Sequence, residues 1–217
     1  MTGPVREFAE LLARARLLLP APVTEEQAHS RAHRPGLLGI AGPPGAGKSR
    51  LAARLAAELG PSVALLGMDG FHIADAELRR LGLRDRKGAP ETFDRAGYVA
   101  LLRRLGTEPG VVYAPVFDRA REDSIAAALG IPPSTRLVIT EGNYLLYWPE
   151  VRPLLDEVWY LDPDPGRRQA ALIARHVAFG KSTDEARSWV ADSDERNAGL
   201  IAAGRGRADL LVDWGDW

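Results

Sequence analysis

The 217-residue sequence contains no cysteine. Disulfides, thiolate nucleophiles and cysteine-based metal sites are therefore excluded. It carries little excess charge: 28 basic side chains face 29 acidic ones, for a net charge of −1 with histidine neutral. Without a basic field, binding to nucleic acid has no electrostatic support. No apolar run is long enough to span a bilayer. Near the N-terminus the only continuous apolar run is residues 17–19, preceded by Arg14 and Arg16. That is not the pattern of a signal peptide, so a cytoplasmic location is the default expectation. Histidine is scarce, with four copies. His29 and His33 have a metal-like i, i+4 spacing, but they sit in a polar stretch, where a solvated linker is expected. Lysine is scarcer still. Lys48, Lys87 and Lys181 stand against 25 arginines. A lysine kept against such a bias is a candidate for a site that needs a compact ammonium.

Against these absences stands one dense motif. Residues 42–49 read G-x-x-x-x-G-K-S. Residues 37–41 before it form an apolar stretch of strand length. After it Leu51, Leu55 and Leu59 recur every four residues, as on one helix face. Strand, glycine loop and helix are the context this motif requires. Glycines let backbone N–H groups converge on an anion, and the helix adds the positive end of its dipole. Lys48 can then reach the β/γ-phosphates and Ser49 can hold Mg²⁺. The expected ligand is a nucleoside triphosphate, contacted by Gly42, Gly45, Ala46, Gly47, Lys48, Ser49 and Arg50.

The length suits one domain of ordinary size. Residues 5–19 pattern as an amphipathic helix, ended by Pro20 and Pro22. Residues 24–34 are polar, a candidate short helix. We read 1–34 as a helical extension on a main domain of residues 35–217. From Gly36 strands and helices alternate. Strands are predicted at 63–68, 111–117, 137–140, 158–161 and 210–212. Helices are predicted at 94–105 with Asp94 as cap, at 149–155, and at 165–179 with Pro165 in the first position. Ser182 and Glu185 form a capping box for a last long helix to about residue 203. Apolar strands alternating with helices imply a parallel sheet covered on both faces. The predicted fold class is α/β: a three-layer sandwich on a mainly parallel sheet of about five strands, with a helical lid around 165–182. Trp214 and Trp217 are candidates to pack on the body or on a second subunit of a homodimer.

Ligands of open α/β sheets gather at the carboxyl ends of strands. Two acids sit at such ends: Asp69 after 63–68 and Glu141 after 137–140. Phosphoryl transfer needs one carboxylate near Mg²⁺ and one to accept the acceptor's proton. A plain Asp-Gly turn and a plain capping acid are the structural alternatives. Arg168, Leu172 and Arg175 fall on one face of the 165–179 helix. Two guanidinium groups there could clamp a transferring phosphoryl group, with Gly180 and Lys181 at the lid's tip. The alternative is a solvated face in an Arg-rich chain.

Residues 42–49, 68–72, 86–94, 115–119, 138–146 and 175–180, taken in order, resemble the nucleoside kinase family of P-loop enzymes. That family groups uridine kinase, bacterial pantothenate kinase and phosphoribulokinase, and includes a bacterial branch called the fructose-transport-system kinase. The resemblance spans about residues 35–213. It implies Asp69 as catalytic base and Glu141 as a direct or water-mediated Mg²⁺ contact. It implies Arg168 and Arg175 as lid arginines, with Arg167 a rival for the first. The acceptor pocket would draw on His72, Lys87, Tyr113, Phe117, Asp118, Arg119 and, on the last helix, Asn197. Asp94 aligns with a family Asp, although a helix cap explains it equally well. Residues 113–119 do not match the uridine kinase pattern, and the large C-terminal aromatic segments of pantothenate kinase are missing. The acceptor's identity is therefore not carried over.

The implied activity moves the γ-phosphate of Mg-ATP to a hydroxyl of a small metabolite: a sugar, a nucleoside or a pantothenate-like compound. Preference for adenine rests on the resemblance alone, with residues 207–210 a candidate border of the base. The rival reading is a nucleotide-binding regulator. GTP-selective switches commonly carry an Asn-Lys-x-Asp motif, which this chain lacks.

Overall fold

The computed structural model describes residues 5–21 and 34–213. His29, His33, Trp214 and Trp217, and all of the 24–34 segment except Arg34, lie outside the described residues.

Helix α1 (Phe8–Leu17) comes first, followed by strand β1 (Gly36–Ala41), the glycine loop and helix α2 (Lys48–Leu59). Next come strand β2 (Val63–Gly67), a 3-10 turn (Met68–Phe71), helix α3 (Asp75–Arg80) and helix α4 (Arg95–Arg104). Strands β3 (Val112–Asp118) and β4 (Asp123–Ile131) form an antiparallel hairpin. Strands β5 (Leu137–Gly142) and β6 (Glu157–Leu161) return to the main sheet. Helices α5 (Pro165–Ala178), α6 (Thr183–Trp189) and α7 (Glu195–Ala202) precede strand β7 (Leu210–Val212).

The main sheet has the order β2-β5-β1-β6-β7, and every pairing in it is parallel. All six residues of the central β1 are buried, which explains why it reads as a continuous apolar run. Side chains alternate between two cores. Leu37, Val138, Val158 and Tyr160 face α4, the aromatic side chains of residues 144–148 and Ile201 of α7. Leu38, Ile40, Ile139 and Trp159 face α1 and α2. That makes three layers. Leu51 and Leu55 of α2 are both fully buried, and each contributes roughly 1.5–3 kcal/mol by leaving water.

The N-terminal segment is tied to this sheet. Val5 bridges Val212, with Val5 N–H donating to Leu211 O and Asp213 N–H to Val5 O, both at 3.0 Å. Arg54 of α2 stands 4.0 Å over the Phe8 ring of α1.

Three elements differ from expectation. The strand predicted at 111–117 belongs to the hairpin, not to the main sheet, and its partner β4 went unpredicted. Only a 3-10 turn (Arg152–Leu154) occupies the region read as a helix over 149–155, because Pro153 lacks an N–H to continue it. The predicted last helix is broken by a π-helical stretch, Val190–Asp194. Asp194 lies buried in that stretch and meets His176 Nε2 of α5 at 3.0 Å.

Candidate active site

The glycine loop begins where β1 ends at the middle of the sheet. Gly42, Gly45 and Gly47 have φ of 150°, 78° and 87°, values that side chains resist. Gly45 is also crowded. A Cβ there would lie 2.6 Å from Leu172 Cγ of α5, so that helix packs directly on the loop. Helix α2 opens with no acid in its first turn, which leaves its positive end unopposed. Lys48, only 8% exposed, folds back over the loop. Its ammonium donates to the carbonyl oxygens of Gly42 and Pro43, both at 3.0 Å, and to Asn143 Oδ1 at 2.7 Å. Burial pushes its pKa down to about 8, against the opposing pull of Glu141 and Asp69. Ser49 Oγ donates to Glu141 Oε1 at 3.0 Å. Burial raises the Glu141 carboxyl above its usual range, and the Asp69 charge adds to that rise.

The strand order explains the meeting of these groups. β5 lies beside β1, so Glu141 at its end reaches Ser49. β2 lies beside β5, so the turn that follows it carries Asp69 to the same cleft. Gly70 in that turn sits against the hairpin. A Cβ at Gly70 would lie 2.4 Å from Pro115 O. This close approach sets Phe117 and Arg119 beside Asp69 and His72. Arg119 Nη2 stands 3.4 Å from Asp69 Oδ2. His72 Nδ1 contacts Asp69 O at 2.8 Å, and its ring packs on Phe93 and Phe117 at 4.0 and 4.9 Å. Burial lowers the His72 pKa and outweighs the opposing pull of Asp69.

Two adjoining cavities result. One, of about 380 Å³, is lined by the loop, Asp69, Glu141, Asn143 and Arg175, with Arg50 at its edge. The other, of about 560 Å³, holds His72, Lys87, Phe117 and Lys181. Asp69, Arg119 and Arg175 line both. A third cavity is larger, about 800 Å³, and lies on the far side of Lys181 and Trp189. It holds neither the loop nor the two acids, so size does not locate the chemistry here.

Six expected site residues, Gly42, Ala46, Arg168, Tyr113, Asp118 and Asn197, line neither of the first two cavities. Arg168 is 4% exposed. It donates to Pro44 O at 3.3 Å and pairs with Glu195 of α7. A desolvated guanidinium needs such partners, so Arg168 braces the loop from behind while Arg175, two turns on, reaches the cleft. Arg167 lines neither cavity; its backbone N–H donates to Asp164 Oδ1 as part of the helix cap. Tyr113 is exposed on the outer face of the hairpin, because strand alternation turns Val112 and Ala114 inward instead. Asp118 accepts from the N–H groups of Ala120 and Arg121 at 2.9 and 3.1 Å, building the hairpin turn. Asn197 lines the third cavity. Asp94 caps α4 through Gly97 N–H at 2.8 Å. Ala46 is buried below the loop and offers the cleft only its backbone.

Sequence reasoning gave no role to Asn143, Arg84, Glu122, Phe179 or Trp189, which line these walls. Asn143 had a signal, since it follows Glu141 by two residues. The others come together only through the hairpin and the α5–α6 turn.

A glycine loop on a parallel sheet, with carboxylates at the ends of the next two strands, defines a P-loop phosphotransferase. No protein-family model matches the chain. An ATP-dependent kinase-like protein of Aspergillus versicolor, notR', is 33% identical over 165 residues, covering 69% of this chain and 95% of that protein. A uridine kinase-like protein of Schizosaccharomyces pombe is 34% identical over 163 residues, 69% of each chain. A fructose transport system kinase-like structure from Silicibacter sp. TM1040 superposes with a TM-score of 0.83 at 34% identity, covering 95% of this chain and 99% of its own. The chain belongs to this family of P-loop small-molecule kinases.

Proposed function

We propose that the protein transfers the γ-phosphate of Mg-ATP to a hydroxyl of a small metabolite. One observation carries this reading: the Lys48 ammonium, the Ser49–Glu141 oxygen pair and Asp69 face a single cleft. The residues fit the ligands. Three positive-φ glycines leave the loop interior free of side chains for a triphosphate. The Lys48 ammonium hydrogen-bonds uncharged carbonyl and amide oxygens and forms no ion pair among the described residues, which leaves its charge for an anion. Hydroxyl and carboxylate oxygens suit Mg²⁺, which takes one or two protein ligands and completes its shell from phosphates and water. Bound there, Mg²⁺ would neutralise phosphate charge.

The chain's own residues supply the rest. Loop N–H groups and Lys48 hold the triphosphate in register with α2. Ser49 and Glu141 hold the metal's side of it. Asp69 orients the acceptor hydroxyl and takes its proton. Arg175 and Arg119 stand where the two cavities meet and stabilise the transferring charge. Helix α5 and the α5–α6 turn act as the lid that excludes water, a competing acceptor. The kinase domain is read as residues 35–217 and the extension as residues 1–34, of which the described residues 5–21 pack on the domain.

The relatives named for uridine and for fructose transport support a hydroxyl-bearing metabolite as acceptor. The test is ADP release by purified protein with Mg-ATP across nucleosides, pantothenate, hexoses, pentoses and sugar phosphates, with product mass checked. The expected result is one acceptor that raises turnover well above background and gains one phosphate. Slow hydrolysis that no acceptor stimulates, with ATP still bound, would favour a nucleotide-binding regulator.

A further inference from the structure

The acceptor cavity has more cations than its chemistry needs. Arg84, Lys87, Arg119, Arg175 and Lys181 line it against the carboxylates of Asp69 and Glu122. Part of this charge is offset from behind. Arg84 Nε and Lys87 Nζ bond the two oxygens of Asp75 at 2.7 and 2.6 Å, and Arg79 Nη2 stands 3.4 Å from Asp75 Oδ2, so one carboxylate serves three cations. Glu122 gives Lys87 its backbone carbonyl, while its carboxylate side is exposed. His176 is matched by Asp194. Arg119 and Arg175 also face the loop cavity, where phosphoryl charge is held. Asp69 is engaged by the hydroxyl. An excess of positive charge remains on the cavity's own wall: Lys87 shares the single charge of Asp75 with two arginines, and Lys181 has no ion pair among the described residues.

Lys181 sharpens this point. Its ammonium stands 4.5 Å over the Trp189 ring, and no carboxylate lies within ion-pair distance of it among the described residues. Glu185 acts on it only at longer range. The three lysines of a chain with 25 arginines all line the cleft: Lys48 in the loop cavity, Lys87 and Lys181 in the acceptor cavity. An ammonium is a compact point charge that binds carboxylate or phosphate without demanding a planar fork. Rings of His72, Phe117 and Phe179 cover the remaining wall. The volume of about 560 Å³ suits a small metabolite.

We propose that the phosphoryl acceptor is an anion as well as an alcohol. It is a small hydroxy compound bearing a carboxylate or a phosphate monoester, its anionic group held by Lys87 and Lys181 and its hydroxyl presented to Asp69. This rests on the phosphotransfer reading above and names its substrate class.

The test compares matched pairs at fixed Mg-ATP: glycerol with glycerate and glycerol 3-phosphate, ribose with ribose 5-phosphate, pantothenol with pantothenate. We expect kcat/KM for the anionic member to exceed that of its neutral partner by tenfold or more. Lys87→Met and Lys181→Met should each raise KM for that anion about tenfold, with KM for ATP changing less than twofold. Preference for the carboxylates or for the phosphates identifies which anion is read, and either supports the proposal. Transfer to a neutral member at equal or higher kcat/KM overturns it and leaves the phosphotransfer reading standing. So does an unchanged KM in both lysine variants. If no acceptor gains phosphate, the phosphotransfer reading is the one that fails. Titration of Trp189 emission with the same pairs, using Trp189→Phe as blank, then decides the charge question: tighter binding of the anions supports it, and equal binding overturns it.

Discussion

On the loop side of the cleft the chain supplies eight consecutive residues, and most of their work is done by backbone. On the acceptor side it gathers side chains from the turn after β2, from residues 84–88, from the hairpin loop and from the α5–α6 turn. The two sides therefore fail differently. A backbone cradle is fixed by φ angles and by what packs beneath it, so it tolerates changes that keep its shape. A side-chain wall has each group replaceable alone. Damage to the loop should remove binding, whereas damage across the cleft should remove turnover or change the acceptor. Asp69, where the two cavities meet, is the place to separate these outcomes.

The largest expected effect comes from Asp69→Asn. Loss of a general base costs about 10²–10⁴ in rate. We expect kcat to fall by that order while the Kd for an ATP analogue stays within about threefold. A parallel loss of nucleotide affinity, read by calorimetry, would make Asp69 part of the cradle and erase the distinction.

The two arginines of α5 give the next contrast. Arg168 is sealed between Pro44 O and Glu195, so its removal strands a carbonyl and a carboxylate. Glu195 is a third exposed and rehydrates in part, so the cost is about 2–3 kcal/mol, below that of a fully buried pair. For a chain of this size that lowers Tm by roughly 4–12 °C. Arg168→Met should show this in a thermal melt. Arg175→Ala should leave Tm within about 2 °C, since the side chain is exposed in the cleft. Its kcat should drop roughly 10–10³-fold. An inverted pattern, with Arg175 structural and Arg168 kinetic, would return Arg168 to the phosphoryl clamp.

How much of each side was legible in the sequence follows from the same difference. The loop is contiguous, and its flanks carry their own periodicity through Leu51, Leu55 and Leu59. The parallel sheet was legible because β1, β5 and β6 are apolar along nearly their whole length. The hairpin was half hidden. β4 contains Ala126, Ala127 and Ala128, which are poor strand formers and are exposed, and Ala127 has a φ of 55°. Nothing local marks them as a strand; they fill a register shift between Ile125 and Leu129, which pair with β3 on either side. The acceptor wall inherits that opacity, because Phe117, Arg119 and Glu122 reach the cleft through the hairpin. The sealed position of Arg168 was hidden for a related reason. Its spacing from Arg175 is right for one helix face, but helical spacing does not say which end of the face is sealed by a neighbour. The capping box at Ser182 was legible as Ser-x-x-Glu and is present. The π-helical stretch that turns Asp194 toward His176 has no such signature.

The smallest expected effect probes the seam between the two sides. His72 is packed between Phe93 and Phe117 and held below its usual pKa, chiefly by burial, with Asp69 pulling the other way. The unfolded chain takes up a proton near pH 6.5, whereas the folded chain resists until lower pH. Below pH 6.5 the unfolded state therefore binds more protons, and stability falls as pH falls toward the folded pKa. The contribution is fully present above pH 6.5. His72→Gln removes the titrating group and keeps a polar side chain of similar reach. Between pH 6.5 and 5, Tm of the wild type should decline more steeply than Tm of His72→Gln, and the two profiles should run parallel above pH 7. Parallel profiles throughout would mean that the ring takes up its proton as readily in the folded chain as in the unfolded one. Below about pH 6.5 the cleft would then carry one more cation beside Asp69, on the side already richest in them.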